Sequence, residues 1–203
     1  MSEHYFTAEP ASASERREIR IPLAGQTRAV QVAGGVFSPD RLDQGTTVLL
    51  NHVPPPPQAG TFLDLGCGWG PIALTLGLLR PQAQVWAVDV NARARDLTAV
   101  NAASLGLDGV QVASPGEVPP DVRFDVIWSN PPIRVGKEVL HEMLHTWLPR
   151  LVPGGSAYLV VAKNLGSDSL QRWLIDQFPA LETTRLTSVR GFRILQVNAP
   201  TEA

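Results

Sequence analysis

The sequence predicts an α/β fold built on a doubly wound, seven-stranded sheet with one antiparallel strand. From residue 61 onwards, short apolar runs alternate with helical patterns, as in a chain of β–α units. Several of these runs are apolar without interruption, which is typical of strands buried on both faces. The last two runs flank only Val189-Arg-Gly191, too short for a parallel crossover, so they should form an antiparallel pair.

Length and composition narrow the class of protein. The chain has 203 residues, 44% of them hydrophobic and 18% charged, as expected for one globular domain. No apolar run is long enough for a membrane span, and the N-terminus lacks the pattern of a signal peptide. One cysteine excludes an internal disulfide, so we expect a cytoplasmic protein with no membrane partner. The net charge of −2 requires any RNA contact to be local.

Three short elements precede the predicted sheet. Two strand patterns around Ala24-Gly25 predict a hairpin, and a helix follows for which Asp43 or Thr46 supplies the cap. The proline run after the helix should form an extended connector. We therefore divide the chain into an N-terminal extension, residues 1–53, and a core domain, residues 54–203. The predicted segments of the extension are 18–21, 28–32 and 43–53.

The core domain supplies the sheet and the helices that cover it. In such sheets ligands bind beyond the carboxyl ends of the strands, so the residues that follow each strand are the candidates for a site. The predicted strands are 61–65, 84–88, 109–113, 124–129, 156–162, 181–187 and 192–198. The predicted helices are 70–79, 91–105, 136–151 and 167–178.

A glycine-rich motif, Asp64-Leu-Gly-Cys-Gly-Trp-Gly70, follows the first core strand. Glycines at alternate positions permit a tight turn and leave room for a ligand, and the following helix start offers free N–H groups. Nineteen residues after Gly70, Asp89 ends the next strand, where a carboxylate can accept both ribose hydroxyls. Pro71 follows a third glycine that comes one residue early for a dinucleotide fingerprint, which disfavours an oxidoreductase.

A second motif, Ser129-Asn-Pro-Pro-Ile133, follows the fourth core strand. Its two prolines hold the backbone extended and delay the next helix. The side-chain oxygen of Asn130 and the carbonyl of Pro131 should then face the same crevice as the glycine motif. Two such acceptors can fix an amide or aryl amine and stabilise the positive charge that develops when its nitrogen takes a methyl group. No strong general base is needed, because the proton can leave after transfer.

These motifs resemble those of class I S-adenosylmethionine (SAM) methyltransferases, D/E-x-G-x-G-x-G and (D/N/S)-P-P-(Y/F/W). The order of further segments narrows the resemblance to the small-domain family of ribosomal RNA small subunit methyltransferase C, which forms N2-methylguanine in 16S rRNA. The resemblance covers nearly the whole chain. The segments are His4-Tyr-Phe6, Gly35-Val-Phe-Ser38, Leu42-Asp-Gln-Gly-Thr46 and Asn130-Pro-Pro-Ile-Arg-Val-Gly-Lys137.

The resemblance implies a Rossmann-like fold, SAM as cofactor, and N-methylation of an exocyclic amine, foremost guanine N2 of ribosomal RNA. The implied partner is ribosomal RNA or the small ribosomal subunit. The implied cofactor-binding residues are Asp64, Gly66, Cys67, Gly68, Gly70, Asp89, Val90, Ser114 and Asn130. The implied catalytic residues are Asn130, Pro131, Pro132 and Ile133, and the implied substrate contacts are Phe37, Ile133 and Arg134.

The chain departs from the family it resembles in three ways. Ile133 stands where many relatives carry an aromatic residue that stacks on the target base, so Phe37 is the candidate to stack instead. After strand 109–113 relatives often carry an acid that touches the adenine amine, whereas this chain has Ser114 and, further along, Glu117. The longer enzymes also carry a second, N-terminal copy of the fold. This chain should either recognise RNA without that copy or form a homodimer.

Several alternatives compete with this interpretation. The same scaffold serves glutamine-N5 and adenine-N6 methylation, and a non-catalytic SAM- or RNA-binding protein is the rival from another class. The Asn-Pro-Pro motif argues against that rival, because binding alone needs no amine acceptors. His141 and His145 fit H-E-x-x-H, but they lie off the helix's apolar stripe and lack a third ligand, so we predict no metal site.

Two further features can be interpreted either as structural or as functional. Cys67 has no histidine partner nearby in the sequence, so we interpret it as a small packing residue rather than a nucleophile. A basic cluster on the predicted hairpin is either a solvated face or a contact to RNA phosphates. The cluster consists of Arg16, Arg17, Arg20 and Arg28.

Overall fold

The computed structural model of the protein describes residues 15–201, so the segment His4-Tyr-Phe6 lies outside the described residues. The chain begins with an antiparallel hairpin of β1 (Arg17–Leu23) and β2 (Gln26–Val32). Ala24 and Gly25 close it with positive φ angles of 47° and 78°. Helix α1 (Gln44–His52) follows, and the side chain of its N-cap, Asp43, accepts the N–H of Thr46.

Seven strands form the central sheet, in the order β5–β4–β3–β6–β7–β9–β8. All neighbours are parallel except β9, which runs antiparallel to both β7 and β8. The predicted doubly wound sheet with one reversed strand is confirmed. Its strands are β3 (Thr61–Leu65), β4 (Gln84–Val88), β5 (Val110–Ala113), β6 (Phe124–Ser129), β7 (Leu151–Ala162), β8 (Glu182–Val189) and β9 (Phe192–Asn198). The remaining helices are α2 (Pro71–Leu79), α3 (Ala92–Ser104), α4 (Lys137–Trp147) and α5 (Ser167–Gln177).

Both faces of the sheet are covered, which explains why its strands are apolar without interruption. In β3, Leu63 packs into a core with Leu144 of α4 and Leu174 of α5. Its neighbour Phe62 belongs to a second core, with Leu49 of α1 and further residues of α2. Because successive strand residues point to opposite faces, one strand serves both cores.

The hairpin packs on the outside of α2 and α3 and has an apolar cluster of its own with them. Val30 and Val32 of β2 lie in this cluster with Leu74 and Leu97. The buried side chain of Asn101 also bonds the backbone of Gln31, accepting its N–H at 2.6 Å and donating to its carbonyl at 2.9 Å. Asn101 also donates to the carbonyl of Trp69 at 3.0 Å, so it joins the end of β2 to the turn that precedes α2. The division of the chain at residue 53 stays a prediction.

Two adjacent boundaries predicted from the sequence are wrong by four and five residues, whereas the others lie within two residues of the observed ones. Helix α4 ends at Trp147 rather than at 151, and β7 begins at Leu151 rather than at 156. Between them Leu148–Arg150 forms a tighter helical turn, in which Pro149 cannot donate a backbone hydrogen bond. Leu151 pairs with Phe124, and the register of the ladder between β6 and β7 shifts after this pair. The hydrophobic pattern of the sequence does not predict such a shift. Within residues 15–201, no helix combines the length and apolar character that crossing a membrane requires.

Candidate active site

The glycine motif forms a tight turn between β3 and α2, at the carboxyl edge of the sheet. The N–H groups of Gly66 and Cys67 both donate to the carbonyl of Val88, at 2.8 and 3.0 Å, and hold the turn against the end of β4. Gly66 and Gly68 have φ angles of +80° and +57°, and a Cβ at either would meet no atom within 4 Å. Both glycines line a cavity, so their missing side chains leave space for a ligand.

Cys67 and Gly70 of the turn pack against Thr98 of α3, and Cys67 also lines a small cavity of about 20 Å³ beside the first. A Cβ on Gly70 would lie 3.0 Å from the side chain of Thr98, whose hydroxyl donates to the carbonyl of Gly68 at 2.9 Å. The thiol of Cys67 lies 3.6 Å from that hydroxyl and is buried, and burial raises its pKa well above the usual range. A buried neutral thiol is a poor nucleophile, which supports the packing interpretation of Cys67.

Asp64 lies behind the turn and does not line the cavity. Its side chain is fully buried, and one carboxyl oxygen accepts the N–H of Ala73 at 2.8 Å. The other oxygen has no hydrogen-bond partner among the described residues. Burial raises the pKa of Asp64 to about 8, and the charge of Asp89 adds to the rise. The structure therefore shows Asp64 joining β3 to α2, and its predicted contact with the cofactor stays a prediction.

Asp89 follows β4 and lines the same cavity as Gly66 and Gly68. Its carboxylate accepts the N–H of Gly68 at 2.9 Å and, through its other oxygen, the N–H of Asn91 at 2.9 Å. Burial raises the pKa of Asp89 above its usual range, while these hydrogen bonds oppose the rise. The next residue, Val90, projects its side chain to solvent and is not among the lining residues.

The loop after β2 covers this cavity. The side chain of Asn91 donates to the carbonyl of Gly35 at 2.9 Å, and the indole N–H of Trp69 donates to the carbonyl of Ser38 at 3.2 Å. Phe37, between these tethers, lines the cavity, which has a volume of only about 50 Å³. Sequence reasoning missed Asn91. A polar residue at the start of a predicted helix signals an N-cap, and Asn91 does cap α3.

Asn130 is held in one orientation by residues from the start of α1. Its amide NH₂ donates to the carboxylate of Asp43 at 2.8 Å and to the hydroxyl of Thr46 at 3.1 Å. Both partners are acceptors for this NH₂, which fixes which end of the amide points at them. The side-chain oxygen has no hydrogen-bond donor within residues 15–201 and remains available to a ligand. Sequence reasoning gave Asp43 and Thr46 as cap candidates, and the family resemblance implied that Thr46 lies over the pocket, but neither predicted their contact with Asn130.

The two prolines after Asn130 line the cavity beside Gly66. The carbonyl of Pro131 accepts the N–H of Ile133 at 2.8 Å, so one of its two lone pairs is left for a ligand. Ile133 is partly buried against the core that contains Leu144 of α4, and it lines a second cavity. The Asn-Pro-Pro backbone therefore separates two cavities rather than facing a single one.

The second cavity is an open cleft of about 690 Å³ at the ends of β6, β7 and β9. Phe37, Asn130 and Pro131 line both cavities and stand where the two meet. The predicted substrate residues Phe37, Ile133 and Arg134 are thus brought together here. The other lining residues are Asp43, Val160, Ala162, Lys163, Asn164, Leu165, Arg190, Gly191 and Phe192.

Ser114 is not placed in either cavity. Its backbone N–H donates to the carboxylate of Glu117 at 2.7 Å, in a short helical turn after β5, and this hydrogen bond lowers the pKa of Glu117. Neither residue lines the cavities described above. The adenine-side contact predicted at Ser114 has no support in this geometry and stays a prediction.

The two histidines of the H-E-x-x-H match are used in aromatic packing. The ring of His141 stacks on Trp173 of α5 at a centroid distance of 3.7 Å and 7° between planes, and His145 meets the edge of that indole at 5.2 Å. Burial lowers the pKa of His141, and the electrostatic effects of the neighbouring His145 and Lys137 lower it further. Within the described part of the chain, no three His, Cys, Asp or Glu side chains are grouped to hold a metal ion.

Two members of the hairpin's basic cluster form ion pairs with neighbouring loops and helices. Arg16 contacts Asp96 of α3 at 2.6 Å, and Arg17 contacts Asp40. All four side chains are substantially exposed, and pairs of this kind contribute little to stability. These contacts favour the solvated-face interpretation for Arg16 and Arg17 over RNA binding.

Comparison with known proteins agrees with this geometry. Uncharacterized protein YbxB of Bacillus subtilis is 30% identical over 199 residues, which cover 97% of this chain and 98% of that protein. Ribosomal RNA small subunit methyltransferase C of Pseudomonas entomophila is 38% identical over 135 residues, 66% of this chain but only 40% of that longer protein. This chain therefore spans less than half the length of that relative.

A solved structure shares the fold. It is a 16S rRNA N2 methyltransferase of T. thermophilus in complex with AdoMet and guanosine, with a TM-score of 0.77 and 24% sequence identity. The match covers 92% of this chain and 51% of that one. A family model described as "Methyltransferase small domain" matches residues 27–196, which confirms the predicted methyltransferase. The chain belongs to the methyltransferase small domain family.

Proposed function

We propose that this protein transfers a methyl group from SAM to an exocyclic amine of ribosomal RNA, namely N2 of a guanine. The observation that carries this proposal is the fixed orientation of Asn130. Asp43 and Thr46 take the NH₂ end of its amide, which leaves the oxygen for a ligand, and Asn130 lines both cavities. An acceptor in that place suits a substrate that presents N–H groups.

The narrow cavity has residues that fit SAM. Gly66 and Gly68 leave open space along one wall, and Asp89 offers a carboxylate for ribose hydroxyls. When bound, SAM supplies an electrophilic methyl group on a positively charged sulfur. The loop that carries Phe37 has to move outward to admit it, because the cavity is about 50 Å³ in this structure. The tethers from Asn91 and Trp69 then close the loop again.

Asn130 and Pro131 would hold the amine. Its two N–H groups would donate to the side-chain oxygen of Asn130 and to the free lone pair of the Pro131 carbonyl. This places the nitrogen lone pair away from both acceptors, on the side of the narrow cavity. Both oxygens also stabilise the positive charge that the nitrogen acquires in the transition state. The carboxylate of Asp43, 2.8 Å from the Asn130 nitrogen, polarises the amide and strengthens that oxygen as an acceptor.

Two observations support a nucleobase over a smaller amine. The cleft of about 690 Å³ lies in the range of pockets that hold sizeable ligands, and the aromatic ring of Phe37 stands at its junction with the narrow cavity. Stacking of a base on an aromatic side chain contributes about 1–3 kcal/mol. The names of two relatives point to the same substrate, since one is a ribosomal RNA methyltransferase and the other a 16S rRNA N2 methyltransferase.

The test is methyl transfer from labelled SAM to separated ribosomal subunits, free 16S rRNA and peptide-chain release factors. Nucleoside analysis of the modified RNA would identify the product. We expect N2-methylguanosine in the small-subunit RNA. N6-methyladenosine would overturn the guanine assignment, and label found only in a protein glutamine would overturn the RNA substrate.

A further inference from the structure

Three cationic side chains from three separate turns line the open cleft. Arg134 lies in the turn after β6, Lys163 in the turn after β7, and Arg190 in the tight connection between β8 and β9. All three residues are exposed. The N–H of Lys163 donates to the carbonyl of Gly191 at 2.8 Å, which holds the second and third turns together. The sheet edge thus gathers three positive charges around one opening.

These cations have no protein partner within residues 15–201. The carboxylate among the residues lining the cleft is that of Asp43, and it already accepts from Asn130 and from the N–H of Thr46. By contrast, Arg185 and Arg193 on the neighbouring strands both contact Asp168. The cleft is therefore positive in a chain whose net charge is −2. Such local charge attracts an anionic ligand.

The interior of the cleft is apolar below this charged rim. Phe37, Ile133, Val160 and Phe192 contribute to its lining. A nucleotide pairs a flat apolar base with phosphates, so it matches a cleft with apolar walls and a cationic mouth. A glutamine side chain of a protein matches less well, because it brings neither the base nor the negative charge.

Building on the proposed function, we propose that Arg134, Lys163 and Arg190 form a phosphate-binding subsite for single-stranded RNA. They hold the phosphates next to the target nucleotide while its base, turned out of any stack, enters the cleft towards Asn130. Arg binds phosphate through its planar fork and Lys as a point charge. The subsite gives this short chain an RNA contact within the catalytic domain itself.

The experiment measures RNA binding as a function of salt. The probe is a fluorescein-labelled, single-stranded RNA with one guanosine in a uridine background, and the proteins are wild type, each single Gln variant and the triple variant Arg134→Gln, Lys163→Gln, Arg190→Gln. Each lost phosphate contact should lower the slope of log K against log salt by about 0.7. Loss of three contacts lowers the slope by about 2.1, so wild type should lose roughly eighteenfold more affinity than the triple variant between 50 and 200 mM salt.

Arg123→Gln is the matched control, because Arg123 is an exposed cation directly before β6, at the sheet edge opposite the cleft, and does not line it. It should keep the wild-type slope, and all variants should keep the wild-type melting temperature and SAM affinity. An unchanged slope in the triple variant, or a loss in Arg123→Gln equal to that of each single cleft variant, would overturn the subsite.

Wild-type methyl transfer to the same ribosomal substrates separates the two proposals. Transfer to RNA together with an unchanged slope in the triple variant overturns the subsite and leaves the proposed function standing. Transfer to a protein glutamine instead of RNA overturns the proposed function and the subsite with it. Transfer to RNA with the expected loss of slope supports both.

Discussion

The carboxyl ends of β3 and β4 hold a narrow cavity whose polar groups are already bonded to one another. Asp89 accepts from Gly68 and Asn91, and Asn91 in turn holds the covering loop at Gly35. The ends of β6 and β7 border an open cleft whose cations, within residues 15–201, have no partner. The two sides meet at Phe37, Asn130 and Pro131. The polar groups of the narrow cavity are already held in place by hydrogen bonds, whereas the cleft offers positive charges that suit an anionic ligand.

Because the two sides differ in this way, we expect substitutions in the narrow cavity and in the cleft to have different effects. Changes on the narrow side should alter SAM affinity, because its groups form the cofactor's walls. Changes in the cleft should alter RNA affinity and its salt dependence. Changes at the junction should alter turnover with little effect on either affinity, because their contribution exists only while the amine is being methylated.

The largest effect should come from Asn130 at the junction. Asn130→Ala removes an acceptor for developing positive charge, and by analogy with loss of an oxyanion-hole donor the rate should fall on the order of 100-fold. Asn130→Asp keeps an acceptor but replaces the NH₂ that donates to Asp43 with a second carboxylate oxygen, so it should retain only partial activity. Single-turnover methyl transfer measures the rate, with SAM affinity determined in parallel. Asn198→Ala, an amide that lines neither cavity, is the control; wild-type turnover in Asn130→Ala would reduce the Asn-Pro-Pro segment to a structural turn.

Asp89→Ala tests the narrow side. The change removes a carboxylate that would accept charge-assisted hydrogen bonds from the ribose, each contributing about 1.5–3 kcal/mol. We expect SAM affinity to fall at least tenfold by calorimetric titration, while the salt dependence of RNA binding stays as in wild type. An Asp89→Ala protein with wild-type SAM affinity would show that the ribose is held elsewhere.

Asp64 should make stability depend on pH. Its folded pKa of about 8 lies above the ordinary value of 3.8, so the native state binds this proton more tightly than the unfolded state. Its contribution is therefore greatest below pH 3.8 and is lost as pH rises towards 8, at up to about 1.4 kcal/mol per pH unit. Denaturant melts at several pH values compare wild type with Asp64→Asn, which does not titrate. Identical pH profiles for the two proteins would contradict the raised pKa.

Asp43→Ser should have the smallest effect on methyl transfer. It tests how much of the turnover depends on the orientation of Asn130. Serine caps a helix about as well as aspartate, so the stability of α1 should be close to wild type. Its shorter side chain cannot reach the Asn130 amide, which then keeps Thr46 as its partner. Turnover should fall by less than in Asn130→Ala, roughly fivefold to tenfold, a fraction of the loss expected for a missing acceptor. A thermal melt and single-turnover rates measured together separate a lost cap from a lost orientation.

Local sequence was sufficient for the parts of the protein that depend on neighbours along the chain. The glycine motif, its strand and Asp89 were predictable because a tight turn requires glycine at set positions and buried parallel strands require apolar runs. Strands β3, β4, β6 and β9 have the predicted bounds for the same reason. The end of α4 at Trp147 was missed because the apolar pattern continues through Leu148 into β7.

The tertiary structure alone decided which groups meet. Asp43 and Asn130 are 87 positions apart, and no spacing indicates that a helix cap also orients an amide in the site. His141 and His145 match a metal motif in sequence, yet Trp173 from another helix gives them an aromatic partner. Arg134, Lys163 and Arg190 converge only because β6, β7 and β8 all end at the same edge of the sheet. Residue type determined what each group can do chemically, and the packing of distant segments determined with which partner it does so.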